Sequence, residues 1–121
     1  LKKRVSIINE TKPVLALSIH QNSYPGESIH GSQVFYYTHS KDGENIAKTM
    51  QEALLAADPE NKRQAKANDT YYVLKKTEVP VIIVECGFLS NSQEAEKLIN
   101  DEYQETLAEA ICNGVQKSLA K

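Results

Sequence analysis

Apolar positions along the chain fall into blocks of two periods. In LKKRVSIINE, Leu1, Val5 and Ile8 recur at helical spacing with Lys and Arg opposite, so Leu1–Glu10 reads as the last turns of a helix. Lys12-Pro13 ends it. Val14–Ile19 (VLALSI) is a short apolar run, the first strand, and it stops at His20. Gln21–Ser32 carries Pro25, Gly26 and Gly31 among polar residues and predicts a loop. Gln33–Thr38 (QVFYYT) is aromatic and β-branched, the second strand. From Gly43 to Ala57 the stripe Ile46, Ala47, Met50, Ala53, Leu54, Ala57 marks an amphipathic helix capped by Asp42 or Ser40.

Asp58–Thr70 has no periodicity and predicts a loop, and Tyr71–Leu74 predicts a third strand. Pro80–Glu85 (PVIIVE) holds four consecutive β-branched residues, the pattern of a strand buried on both faces. Cys86-Gly87-Phe88 is expected to turn out of it. Ser90, Asn91 and Ser92 offer caps for the next helix, Ser90 with Gln93 at capping-box spacing. Ala95, Leu98 and Ile99 give that helix its inner face, and a last helix carries Tyr103, Leu107, Ile111, Val115 and Leu119 four apart. Helices alternating with buried strands predict an α/β fold, a mixed, mostly parallel sheet flanked by helices. The chain opens mid-helix on Leu1 without a Met, so the expectation is a domain truncated at its N-terminus.

Composition narrows the function classes. At 121 residues and 13.5 kDa this is one domain's worth of chain, able to bury a core without staples. Fourteen basic against sixteen acidic residues, net −2, carry no basic excess of the kind that marks nucleic-acid binding. Two cysteines, Cys86 and Cys112, exclude a disulfide framework and Cys-rich zinc modules. No apolar run approaches the ~18 residues of a membrane span.

Two strands end alike: VLALSI runs into His20 and VIIV into Glu85. Ligands of open α/β sheets bind beyond the carboxyl ends of strands, and an ionisable group at a dry strand end is costly unless paired or metal-bound. The pair therefore marks either a site or two strand ends capped by neighbouring loops. His30 and His39 are further candidates beside His20, although no H-x-x-x-H spacing makes a metal signature. Cys86 follows Glu85 on the strand and so faces the opposite way. It reads as a small buried hydrophobe, with a His20-assisted nucleophile as the alternative. Arg63 and Lys66 lie in the polar loop as a solvated face or as contacts for an anionic ligand. G-x-S-x-G, G-x-x-x-x-G-K and H-E-x-x-H are all missing, which excludes the hydrolase-elbow, P-loop and zincin readings.

Ser18-Ile19-His20-Gln21-Asn22 resembles the S-I-H-x-N motif of the amidase-3 type of zinc-dependent N-acetylmuramoyl-L-alanine amidases, and Val84-Glu85-Cys86-Gly87-Phe88-Leu89-Ser90-Asn91 resembles their V-E-x-G-F-L-S-N motif. Gly31–Tyr37, Arg63 and Lys66 with Tyr72-Val73-Leu74, and Arg4-Val5 with Asn9 look like further family segments, in order along the whole chain. The closest flavour is the spore-cortex and germination type. The resemblance implies that residues 1–121 are the C-terminal two-thirds of one amidase catalytic domain. It implies a peptidoglycan hydrolase that cuts between N-acetylmuramic acid and L-alanine, acting outside the cytoplasm at the cell wall or envelope as an autolysin or in sporulation. It also implies one zinc ion held by His, Glu and His. Carried over by motif, His20 is a zinc ligand and Glu85 the catalytic glutamate. Asn22 and Arg63 are candidate substrate contacts.

The family's opening G-H-G-G strand end and its metal-binding glutamate have no counterpart in these residues, and Glu10 matches neither. The expectation is that residues 1–121 alone hold zinc poorly, because one protein ligand falls short of the usual three. The rivals are a non-catalytic wall-binding module of the same fold, a cysteine hydrolase using Cys86 with His20, and a structural α/β domain.

Overall fold

The computed structural model describes residues 1–22 and 30–120. The helix α1 (Lys2–Thr11) ends at Lys12, which takes a left-handed φ of 49°. Strand β1 (Ala16–Asn22) follows, then β2 (Gln33–Tyr37), α2 (Lys41–Ala57), β3 (Lys66–Asn68), α3 (Tyr72–Lys75), β4 (Val81–Phe88), α4 (Ser92–Leu98) and α5 (Asp101–Leu119). The strands form one sheet in the order β1-β4-β2-β3. β1 runs parallel to β4 and β2 parallel to β3, whereas β2 is antiparallel to β4. The sheet is thus mixed and mostly parallel, as the alternation of elements predicts. The expected Pro25–Gly26 loop lies outside the described residues.

Alternation along β4 splits the core in two. Ile82, Val84 and Cys86 face α2, α4 and α5, where they meet Met50, Leu54, Leu98 and Leu107. Val81 and Ile83 face α1 and α3, where they meet Val5, Val73 and Leu74. All eight residues of β4 are buried, which is why its sequence lacks the apolar–polar alternation of a half-exposed strand. Gly114 stands mid-helix in α5 because α2 crosses there: a Cβ at this position would lie 2.5 Å from Met50 Sδ. Asn9 ties α1 to the turn after α3, donating to Lys76 O at 3.1 Å and accepting from Glu78 N at 2.8 Å.

Five local expectations change. The first strand does not stop at His20: β1 runs on through Gln21 to Asn22, which pairs with Phe88 of β4. Tyr71–Leu74 is not a strand: Asn68 Oδ1 accepts from the backbone N–H of Thr70 and Tyr71, which turns the chain, and Val73 and Leu74 are buried side by side on the helical turn α3. The polar stretch before it contains β3, whose Lys66 and Ala67 side chains are exposed, so no hydrophobic pattern announces it. Cys86-Gly87-Phe88 does not turn: β4 continues through it, because Phe88 pairs with Asn22 of β1 and its N–H is held by Glu94. The caps resolve to Ser40 for α2, accepting from Gly43 N, and to Asn91 rather than a Ser90–Gln93 box for α4, accepting from Gln93 and Glu94 N.

Candidate functional site

Parallel pairing of β1 with β4 sets His20 directly opposite Glu85. With Ile83, Tyr71 and Tyr72 they line a cleft of about 250 Å³. A larger cavity of about 530 Å³ lies at the other end of the sheet, between Val14, Thr49 and Pro80. It contains no histidine or cysteine, so chemistry rather than volume marks the site.

Glu85 is 8% exposed, and its Oε2 is buried with no hydrogen-bond partner among the described residues. No described side chain or loop caps that oxygen. Burial raises the carboxyl above its ordinary range, and the His20 charge pulls it the other way. Ser18 lies two residues before His20, hence on the same face of β1, and its Oγ is 2.6 Å from His20 Nε2. This contact holds the ring in one orientation.

The other sequence candidates separate. His39 lies past the far end of β2, edge-to-face with Tyr37 at 5.2 Å, away from Glu85. His30 is exposed and contributes its backbone carbonyl, which accepts from Arg63 Nε at 2.7 Å. Cys86 points to the opposite face among Val84 and Leu98, and burial with the nearby Glu85 charge pushes its thiol up to about 11. A Cys86–His20 nucleophile is thereby excluded. Lys66 is exposed on β3, opposite Phe35. Arg63 sits at the site's end of the sheet, its Cζ 4.8 Å over the Phe88 ring. The substrate role expected of Asn22 rests on a side chain outside the described part of the structure.

Sequence reasoning misses the polar frame behind this edge. Glu94, 4% exposed, accepts from Gly31 N at 2.8 Å and from Phe88 N at 3.0 Å, both through Oε1, and so clamps the entry of β2 to the exit of β4. Gln51 accepts from Val34 N and donates to Ser32 O, and Asn61 donates to Ser32 O and Oγ. Such residues carry no local signal, since each is an ordinary polar position on a helix or loop until the fold brings it to a strand end. Ser18 had one: it shares the two-residue period of its strand with His20.

Among the described residues no three His, Cys, Asp or Glu side chains converge on a space for a metal ion. A catalytic zinc takes three protein ligands, and His20 with Glu85 falls short of that number, so the described residues do not complete such a site.

The pair lies near the carboxyl ends of two parallel strands, two residues before the end of β1 and three before that of β4, the side of an open α/β sheet on which ligands bind. Residues 1–117 match the N-acetylmuramoyl-L-alanine amidase family, and the chain belongs to that family. It is 35% identical over 115 residues to a germination-specific N-acetylmuramoyl-L-alanine amidase of Bacillus subtilis, covering 95% of this chain and 48% of the relative. The CwlD amidase of Clostridioides difficile, solved in complex with the GerS lipoprotein, superposes with a TM-score of 0.95 at 38% identity, covering 98% of this chain and 61% of that one. An N-acetylmuramoyl-L-alanine amidase from Clostridium difficile 630 superposes with a TM-score of 0.94 at 31% identity, covering 99% of this chain and 65% of that one. The chain thus spans about half to two-thirds of the length of these relatives.

Proposed function

We propose that the protein is a zinc-dependent peptidoglycan hydrolase that cuts the amide bond between N-acetylmuramic acid and L-alanine, acting outside the cytoplasm on the cell wall or spore cortex. Family membership supports the reaction class. The observation that carries the reading in this chain is the buried, unpartnered Oε2 of Glu85 directly opposite His20. A carboxylate without a partner is a costly group to keep in a strand end, and it is the group an amide hydrolase needs to move a proton.

Amides are poor electrophiles, so the attacking water must lose a proton and the leaving amine must gain one. We assign both transfers to Glu85: burial raises its proton affinity, which suits a group that takes the water's proton, and the same carboxyl then delivers that proton to the alanine nitrogen. Ser18 holds the His20 ring in one orientation. His20 is assigned as one zinc ligand, with the remaining ligands outside the described residues. When bound, the metal polarises the scissile carbonyl and lowers the pKa of its water. Arg63 and Asn22 are assigned to the substrate.

Incubation of the full-length protein with purified muropeptides tests this. The expected result is release of peptides with a new N-terminal alanine, abolished by a chelator and restored by zinc. Binding to peptidoglycan without any such release assigns the protein instead to a non-catalytic wall-binding module.

A further inference from the structure

We propose that Arg63 is a specificity-determining residue whose guanidinium receives a free carboxylate of the stem peptide, on the alanine side of the scissile bond. The proposal rests on the amidase reading and names the part of the substrate which that reading leaves open.

The guanidinium is a planar fork of five N–H donors. Nε donates to His30 O at 2.7 Å and Nη1 to Gln33 Oε1 at 3.1 Å. Nη2 has no partner among the described residues, and none of the acidic side chains there pairs with Arg63. The group is half-buried and lies over the Phe88 ring. Its backbone is fixed as well: Arg63 N donates to Asn61 Oδ1 at 2.9 Å, and the buried Asn61 is itself anchored on Ser32. Gly31 makes this possible. Its φ is +98°, and a Cβ there would stand 2.6 Å from Asn61 Oδ1.

The cation is thus held at several points before any ligand arrives, which reduces the ordering cost of binding. Its position is that of the site: Gln33 is the cross-strand partner of Glu85, and Phe88 lies three residues beyond Glu85 on β4. Among the described residues this half-buried cation has a free donor edge and no counter-charge, an arrangement that suits an anionic ligand. The arginine fork matches a carboxylate with two parallel hydrogen bonds. The muramic acid side of the scissile bond has its carboxyl consumed in the amide. The peptide side carries free carboxylates, the first of them on the residue after alanine.

The test compares full-length wild type, Arg63→Lys and Arg63→Ala on two muropeptides that differ only in a carboxylate or a carboxamide on the second stem residue. The expected wild-type preference for the carboxylate is about 10- to 100-fold in kcat/KM, expressed mainly in KM. Arg63→Ala collapses that ratio to about one, and Arg63→Lys, which keeps charge without the fork, retains part of it. A wild type indifferent to the swap overturns the proposal. So does an Arg63→Ala protein that keeps the ratio while losing rate on both substrates, which makes Arg63 a brace for His30 and Gln33. If the wild type cleaves neither substrate, the amidase reading is what fails. Titration of the free alanyl-glutamate dipeptide and its carboxamide, followed by NMR on wild type and Arg63→Lys, then decides recognition by itself. Equal binding of the two dipeptides to the wild type overturns it, and preference for the carboxylate, weakened in Arg63→Lys, supports it.

Discussion

At the scale of single residues, His20 and Glu85 are partners across two strands, and the proposed function gives them different jobs, so their substitutions are expected to separate. Glu85→Gln keeps shape and removes basicity. Muramoyl-alanine cleavage is expected to fall by about 10²–10⁴-fold, with zinc content retained and thermal stability no lower, since Oε2 has no hydrogen bond to lose among the described residues. His20→Ala is expected to lose zinc first and activity with it. Metal analysis and turnover on both variants check the assignment, and near-normal turnover in Glu85→Gln removes Glu85 from the mechanism. The cysteines give a second test at this scale. Cys86 is buried with its thiol pushed up to about 11, while Cys112 is exposed. Because the thiolate is the reactive form, a thiol reagent at pH 8 is expected to modify one cysteine in the folded chain and two in denaturant, counted by mass spectrometry. Rapid modification of Cys86 in the folded chain would revive a cysteine-based site.

At the scale of elements, the strand ends that carry the site are held by side chains from helices behind them. Glu94 of α4 accepts two backbone N–H groups through one oxygen. Glu94→Ala leaves both donors buried and unsatisfied, at a cost of about 2–5 kcal/mol, whereas Glu94→Gln keeps an acceptor oxygen and is expected to cost less than about 2 kcal/mol. Denaturant midpoints measure the difference, and equal losses in the two variants would show that the charge, not the acceptor geometry, matters. The elements themselves were unevenly legible. α2, α5 and β4 announce themselves because their apolar positions repeat with the period of the element. β3 and α3 do not, because β3 exposes its side chains and is defined by backbone pairing with β2, while the apolar Val73 and Leu74 suit a strand as well as a helical turn. Strand propensity at Tyr71–Leu74 yields to the turn that Asn68 imposes.

At the scale of the molecule, the two cores are built from apolar contacts that include neither His20 nor Glu85, although Ile83 and Tyr72 of the second also line the cleft. Chelation of the full-length protein is therefore expected to abolish activity while a cooperative melting transition persists. Leu54→Ala, which empties a fully buried position between α2 and the sheet, is expected to do the reverse: zinc stoichiometry is kept and stability drops by about 2–5 kcal/mol. Paired calorimetry and metal analysis would check this, and loss of the melting transition on chelation would show that the metal holds the fold together.

The sequence by itself singled out His20 and Glu85 as candidates for the chemistry, because a histidine and a glutamate each closing an apolar run cost free energy that an apolar residue there does not. It determined the α/β class as well, through the periods of its apolar positions. That His20 stands opposite Glu85, that Cys86 is turned to the other face, and that Arg63 meets Phe88 while His39 lies at the far end of the sheet were decided only by the tertiary structure. Register and strand order place these side chains. Both arise from long-range backbone pairing and from buried clamps such as Glu94 and Asn61, whose partners lie about 30 to 60 residues away in the chain and leave no periodic trace in it.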